Sequence, residues 1–327
     1  MDHWMWKYED PEDNVIPLAK SDGRIVGVNH GKSVNLKLGG KILSSSQGTD
    51  LAVHPDYRKM GLFRKMSDYK TELYRENKVN LTWAVTGNPV VFKTTMEWGR
   101  STFPYPISTF IRIKNAGYHL GKKKASYKLI KKFGISFMKI ANRILYGTIN
   151  YKKESVSNDI YSIENFDDRF NDFWSKIGDD YDFIIVRDNS YLNWRYMDVR
   201  GGKSLVYVYE EKGEIIGFVV LKINRHDPDY PEGYIADIIA LPERSDVAER
   251  LLAKSVKFFN GNNINAVYCL NIKGHPFEKL LRRAGFVDSR NRLYFIIELF
   301  DVGDEWKVFL SASAHRLHFQ YGDTDWI

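Results

Sequence analysis

Apolar and polar positions recur in the same order in the two halves of the chain. "GRIVGV" (Gly23–Val28) follows "WKYED" (Trp6–Asp10), and "GEIIGF" (Gly213–Phe218) follows "WRYMD" (Trp194–Asp198). Gly27 stands 21 residues after Trp6 and Gly217 stands 23 after Trp194, each inside an apolar run that reads as a strand. Further on, "GTDLAVHP" is matched by "YIADIIALPE", both strand-like and both closed by proline. A helical pattern follows each, and then a strand, a turn and a short helical pattern reaching glycine: "LTWAVTGNPVVFKTTMEWG" and "AVYCLNIKGHPFEKLLRRAGF". Ordered matches at an offset of about 190 predict two copies of one α/β domain with a mixed sheet.

The copies begin differently. The second has a lead-in, Asp159–Met197, that reads as strand, helix, helix, whereas only a few residues precede Trp6. Either the chain begins late or another part of the structure fills that place in the first copy. Between the copies, "ASYKLIKKFGISFMKIANRILYG" sets Ile130, Phe133, Phe137, Ala141 and Ile144 on one helical face, with Lys131, Lys132, Lys139, Asn142 and Arg143 largely off it. This predicts a basic amphipathic helical linker. The expected organisation is a first domain over 1–115, a linker over 116–153 and a second domain over 154–327.

Composition adds that the chain builds real cores: of 327 residues, 43% are hydrophobic and 14% aromatic. The formal charge of +7 is local, because Arg112–Lys153 holds twelve Lys or Arg and no Asp or Glu. The remainder is mildly acidic, so the charge argues for an anionic partner at the linker, residues 122–143, and against a nucleic-acid-binding fold throughout. The helix itself reads first as a linker packed on a domain with a solvated basic face; docking on an anionic lipid, a polysaccharide or an acidic protein is the alternative. Cys269, the single cysteine, excludes an internal disulfide and a cysteine-rich zinc site. His275, His315 and His318 lack ligand spacing, and the stretch around His226 reads as a turn, so no metal is expected. No signal-like N-terminus and no long apolar run is seen, which predicts a cytoplasmic protein.

The stretch "VHPDYRKMGLFRKM" (Val53–Met66) carries the most chemistry. It reads as a strand end, a turn at Pro55, and a helix with Asp56 as its N-cap. The amides of a first helical turn lack partners and the helix dipole is positive there, which suits an anion. Gly61 lets a phosphate approach the backbone, and Arg58, Lys59, Arg64 and Lys65 add positive charge. The pattern is neither a Walker loop nor GxGxxG.

Arg58, two residues on Gly61, and the preceding "VHP" resemble the acetyl-CoA motif of the GNAT acyltransferase superfamily. Phe63 departs from that motif's small last residue. Asn88 and Gly99 keep a spacing common in the superfamily, while Thr95 stands where its tyrosine would be. The resemblance implies a sheet splayed between two central strands. It implies a pantetheine arm along Leu51, Ala52 and Val53, a diphosphate on the loop Arg58, Lys59, Met60, Gly61, Leu62, Phe63 and Arg64, and a contact at Asn88. The second copy, with "ERSDVAERLL" after its strand and Gly274 and Leu281 for the asparagine and tyrosine, is expected to keep the fold without binding CoA.

The resemblance further implies direct transfer of acetyl from acetyl-CoA to an amine acceptor, a small molecule or amino sugar. Asp50, Ala52 and His54 alternate to one strand face, so Asp50 or His54 is the expected base. Since Thr95 removes the usual acid, Tyr8 and Tyr105 are candidate substitutes, although aromatic residues beside Trp6 and Pro104 more often serve packing. The C-terminal "HFQYGDTDWI" reads as a surface tail, with delivery of its carboxylate to the first copy as the alternative. Two other functions stay open: acyl or aminoacyl transfer to a cell-wall or amino-sugar substrate, and a non-catalytic tandem scaffold.

Overall fold

The computed structural model describes residues 2–8, 14–122, 128–146, 148 and 159–326. The first stretch runs α1 (Asp2–Lys7), β1 (Leu18–Ser21), β2 (Arg24–Leu38), β3 (Lys41–Val53), α2 (Leu62–Glu76), β4 (Leu81–Thr86), α3 (Pro89–Glu97) and β5 (Ile107–Ile113). Then come α4 (Ala116–Lys122) and α5 (Lys128–Tyr146). The last stretch runs β6 (Ile160–Ile163), α6 (Arg169–Gly178), β7 (Phe183–Ile185), α7 (Asn189–Leu192), β8 (Ser204–Glu211), β9 (Glu214–Asn224) and β10 (Glu232–Ala240). It ends with α8 (Ser245–Gly261), β11 (Ala266–Ile272), α9 (Phe277–Arg283), β12 (Val287–Leu299) and α10 (Glu305–Ser311).

Two compact units result, and each draws on several stretches of chain. Unit 1 holds Met1–Pro104, Tyr181–Val186 and Leu293–Ala312; unit 2 holds Tyr105–Asp180, Arg187–Arg292 and Ser313–Ile327. In unit 1 the strand order is β1-β2-β3-β4 followed by the end of β12, with β7 pairing β2. The core shows why the late segments belong there. Phe103 meets Phe183, Phe295 and Phe309 at ring separations of 5.0, 5.0 and 5.4 Å, and Trp83 stacks on Phe295. Aromatic burial of this kind is worth more than the same area of aliphatic contact, and it fastens three separate stretches into one core.

Part of unit 1 therefore comes from the second half of the chain. The run "DFIIV", inside the lead-in read as strand, helix, helix, forms a further strand, β7, in unit 1, with Leu36 opposite Ile185 and Leu38 opposite Phe183. All three residues of β7 are buried, so a short continuous apolar run serves as an interior strand.

Unit 2 orders its strands as the start of β12, then β5-β11-β10-β9-β8-β6. Its core gathers Phe110, Val219, Leu221, Ile235, Leu251, Phe259, Val267, Leu281 and Phe286. Helix α8 supplies Val247, Leu251, Leu252 and Val256 at helical spacing. The strand beside β11 is β5, from the first copy's sequence, with Phe110 paired to Cys269.

Both units splay where sequence similarity to the GNAT fold predicts it. In unit 1, β3 and β4 pair in parallel from Ser45–Leu81 to Gly48–Ala84 and then part. In unit 2, β10 and β11 pair only from Glu232–Ala266 to Tyr234–Tyr268. No helix among the described residues is long and apolar enough to cross a membrane.

Candidate functional site

In unit 1 the splay exposes one edge of β3. Leu51, Ala52 and Val53 pair only with β2, opposite Asn29, Val28 and Gly27. The register shifts between Asn29 and His30, leaving Asp50 as the extra residue of a β-bulge at φ 34°. The bulge overturns the strict alternation expected here. Thr49 Oγ1 and Asp50 Oδ2 both reach the Tyr8 hydroxyl, at 2.6 and 2.5 Å, although consecutive residues of a regular strand face opposite ways.

Asp50 is the centre of a polar cluster. Lys7 Nζ donates to its Oδ2 at 2.8 Å, and His30 Nδ1 lies 3.2 Å from the Tyr8 hydroxyl. Burial works to raise the Asp50 pKa. Hydrogen bonds from Lys7 and Tyr8, with the Lys7 charge, prevail and hold the carboxyl below its usual range. Burial lowers the His30 pKa, against the pull of Asp50 and with the help of Lys7 and Lys70. At neutral pH the cluster therefore holds an anionic Asp50 and a neutral His30. The Asp50 side chain is 42% exposed, and its Oδ1 accepts no hydrogen bond among the described residues.

His54 lies outside this cluster. Its Nδ1 accepts from the Asp56 amide at 3.4 Å and caps a short turn, Pro55–Tyr57. The structure thus separates the two expected bases and brings Asp50 to Lys7, Tyr8 and His30 instead. Lys7 and His30 escaped the sequence reading. The one available signal was the repeat itself: Tyr8 matches Tyr196, whose hydroxyl donates to Asp237 at 3.1 Å in unit 2.

The loop after β3 differs from expectation in one respect. Helix α2 starts at Leu62, with Gly61 as its N-cap, so Asp56 is no cap and Arg58 to Gly61 precede the helix. Gly61 has φ 75°, and a Cβ there would meet nothing within 4 Å. The amides of Leu62, Phe63 and Arg64 belong to the first turn and have no helical acceptor. Open space over unpaired amides at a helix start fits a phosphate group. Lys59 has φ 64°, and Met60 is exposed.

The cations of this loop divide by role. Arg58 Nε donates to Val53 O at 3.2 Å and fixes the strand end. Arg64 pairs with Asp68 and lies 4.8 Å over Trp98. Phe63, the departure from the motif, packs its ring 4.9 Å from Trp98. Lys59 and Lys65 have no carboxylate partner among the described residues. Asn88 caps α3, accepting from the Val90 amide at 2.9 Å. Thr95 donates to Val91 O and Phe92 O, so its hydroxyl is spent within the helix.

One buried lysine braces the bulge from α2. Lys70 Nζ donates to Asn29 Oδ1 at 2.7 Å and to His30 O at 3.3 Å. Burial, then the charge of Arg100, lowers its pKa to about 7, against Glu298. The unfolded chain binds more protons than the folded one between pH ~7 and ~10.4, so stability rises across that window. A urea series should show a slope approaching about 1.4 kcal/mol per pH unit there, flattened in Lys70→Met.

Unit 2 lacks the corresponding opening. The C-terminal segment, expected at the surface, is buried from Leu317 to Thr324. His318 Nε2 bonds Asp237 Oδ1 of β10 at 2.9 Å, Gln320 sits beside Cys269 of β11, and Tyr321 reaches Thr109 of β5 at 3.2 Å. The segment occupies the place between the parted strands. The loop from β10 to α8 spans only residues 241–244, and Arg244 is held by Glu211 and Asp246.

Comparison with known proteins agrees with the two splayed units. The family model described as "Acetyltransferase (GNAT) domain" matches residues 2–95, and that of the "Acetyltransferase (GNAT) family" matches 163–286. No curated protein matches the chain. A structure of Saccharomyces cerevisiae N-myristoyltransferase with bound myristoyl-CoA and inhibitors superposes with TM-score 0.62 at 12% identity, covering 92% of this chain and 71% of that one. A tandem GNAT protein from the clavulanic acid biosynthesis pathway gives 0.54 at 14% identity, with 91% and 87% covered. A conserved Enterococcus faecalis protein, termed a probable N-acyltransferase, gives 0.55 at 11%, with 86% and 60% covered. Identities this low speak to fold alone.

Proposed function

Because the chain belongs to the GNAT acyltransferase superfamily as a tandem-domain member, we propose that unit 1 transfers the acetyl group of acetyl-CoA directly to an amine. The observation that carries this reading is the alignment, along one strand, of an anionic carboxylate, an unpaired edge and an open helix start. Acetyl-CoA, when bound, supplies an activated thioester. The backbone of Leu51–Val53 would hold its extended arm as an added strand, and the amides of Leu62 to Arg64 with Lys59 would hold its phosphates.

The remaining work falls to the bulge. An amine arrives as an ammonium ion, and Asp50, charged and half-exposed, attracts and orients it. Oδ1 takes the proton, directly or through one water, while Lys7 and Tyr8 hold Oδ2 in place. The Tyr8 hydroxyl, donating to Asp50 Oδ2 and 3.2 Å from His30 Nδ1, would be the group to protonate the departing thiolate. A cation-bearing acceptor suits this site better than an anionic one. The cell-wall and amino-sugar acceptors stay within the same chemistry, since each offers an amine.

A binding-only reading has one observation in its favour: Thr95 offers no acid, its hydroxyl being held by helix carbonyls. Calorimetric titration with acetyl-CoA, followed by thiol release with a panel of amines, separates the two. One site with transfer supports the enzyme, and one site without transfer or hydrolysis supports the scaffold. Gly61→Glu is expected to weaken acetyl-CoA binding by about tenfold or more through charge repulsion, while strain at its positive φ costs the fold only about 1 kcal/mol. Equal affinity in that variant would move the phosphate site off this loop.

A further inference from the structure

A helix lying on a domain turns its apolar side inward, and α5 does the reverse. Phe133, Phe137, Ile140, Ile144 and Leu145 are all exposed, Phe137 to 72% and Ile144 to 77%. Among the described side chains of α5, Lys139 is turned towards the protein, its Nζ donating to Ile113 O. Helix α5 packs against α4 and α9, so the helix is seated and its stripe is still uncovered. Phe133, Phe137, Ile140 and Ile144 follow one another at i, i+4, i+7 and i+11, a single line about 16 Å long.

Charge decides what covers the stripe. Arg112–Lys153 holds twelve Lys or Arg and no acid, and Arg143 is exposed on α5 itself. A second copy of the chain would bring the same positive charge against it. A polyanion in water would answer the cations and leave two phenylalanines and two isoleucines wet. A bilayer carrying anionic lipid answers both, with headgroups for the cations and acyl chains for the stripe.

We propose that α5 is a reversible membrane-surface anchor, lying in the plane of an anionic bilayer with Phe133, Phe137, Ile140 and Ile144 inserted beneath the headgroups. This does not depend on the acyl-transfer reading. Since all four side chains are exposed, their replacement leaves the fold intact.

The test is co-sedimentation of the full chain with vesicles of phosphatidylcholine alone and with phosphatidylglycerol added. Partitioning is expected to be about tenfold or more stronger on the anionic vesicles, to weaken with salt, and to fall by about tenfold or more in F137E/I140E. A second readout places an environment-sensitive dye on Ile140→Cys. The single native Cys269 is fully buried and stays unlabelled. Emission should shift to the blue on anionic vesicles. Equal partitioning on both vesicles, partitioning unaffected by F137E/I140E, or unchanged dye emission overturns the proposal. So does a stable dimer in solution that F137E/I140E dissociates.

Discussion

Asp50→Asn is expected to lower kcat for acetyl transfer by about 10²- to 10⁴-fold while acetyl-CoA affinity stays within about threefold. Asparagine matches aspartate in shape and tolerates the φ of 34° at the bulge, so the backbone edge survives the change. The loss falls on the charge that draws the ammonium and accepts its proton. Lys7, buried beside position 50, loses its counter-charge as well, so a melt of the variant must accompany the kinetics. A kcat within about threefold of the parent would reduce Asp50 to a partner for Lys7 and shift the search for a base to His30. The pH profile adds a check. With the carboxyl held below its usual range, kcat/KM of the parent should show no Asp50 limb above about pH 4.

Arg187→Met is expected to destabilise unit 2 by about 3–5 kcal/mol, lowering its melting temperature by on the order of 10 °C. Arg187 Nε meets Asp237 Oδ2 at 2.9 Å and Nη2 meets Asp323 Oδ1 at 2.5 Å, with all three side chains fully buried. Burial favours neutral Asp237, but Arg187 and His318 hold its pKa well below the usual range. Without Arg187, two carboxylates remain in the interior, Asp237 with bonds from His318 and the Tyr196 hydroxyl and Asp323 with one from the Gln320 amide. Asp323 belongs to the C-terminal segment, so that segment should come loose and become open to carboxypeptidase. Gly322 shows how closely the segment is seated: a Cβ there would lie 1.9 Å from the Tyr196 hydroxyl and 2.9 Å from Ala236 O. The control is Arg244→Met, which removes a part-exposed pair with Glu211 and should cost about 1 kcal/mol or less. A loss as small in Arg187→Met would mean the buried pair contributes no more than an exposed one. Replacing Arg187, Asp237 and Asp323 together by apolar residues of similar volume should recover most of the stability.

Much of the local structure was legible. The strands ending at Val53 and Ala240 stop just before the prolines that closed both runs, because proline takes no part in a ladder. The tandem GNAT architecture followed from the repeat, and both splays appear where that resemblance put them. Gly61 was singled out for the close approach of a phosphate, and the structure adds a second reason for glycine there, a φ of 75° before the helix start. The N-cap of α2 is Gly61, not Asp56, which looks like a cap in the sequence; His54 caps a separate short turn.

The candidate site was legible only in part. Asp50 was singled out as one of two alternative bases, and strict alternation set it on one face with His54, from which the bulge separates it. A bulge costs one residue of register and leaves no periodic mark, so Thr49 and Asp50 facing the same hydroxyl could not be read from spacing. Lys7 and His30 come from α1 and β2, and only the folded sheet brings them to position 50. The basic segment forms a helix, α5, over Lys128–Tyr146. Which of its faces meets the protein is a property of α4 and α9, not of α5.

By itself, then, the sequence determined what depends on neighbours along the chain: the repeat, the strand ends, the glycine at the helix start, the stripe of α5. Tertiary structure decided what depends on distant partners. It gave unit 1 the segments carrying Phe183, Phe295 and Phe309, whose rings meet Phe103 only when the chain has folded back. It also closed the splay of unit 2 with the C-terminal segment, through ion pairs between residues as far apart as Arg187 and Asp323. Periodicity encodes which side of an element is apolar. Long-range burial and charge pairing choose what that side will meet.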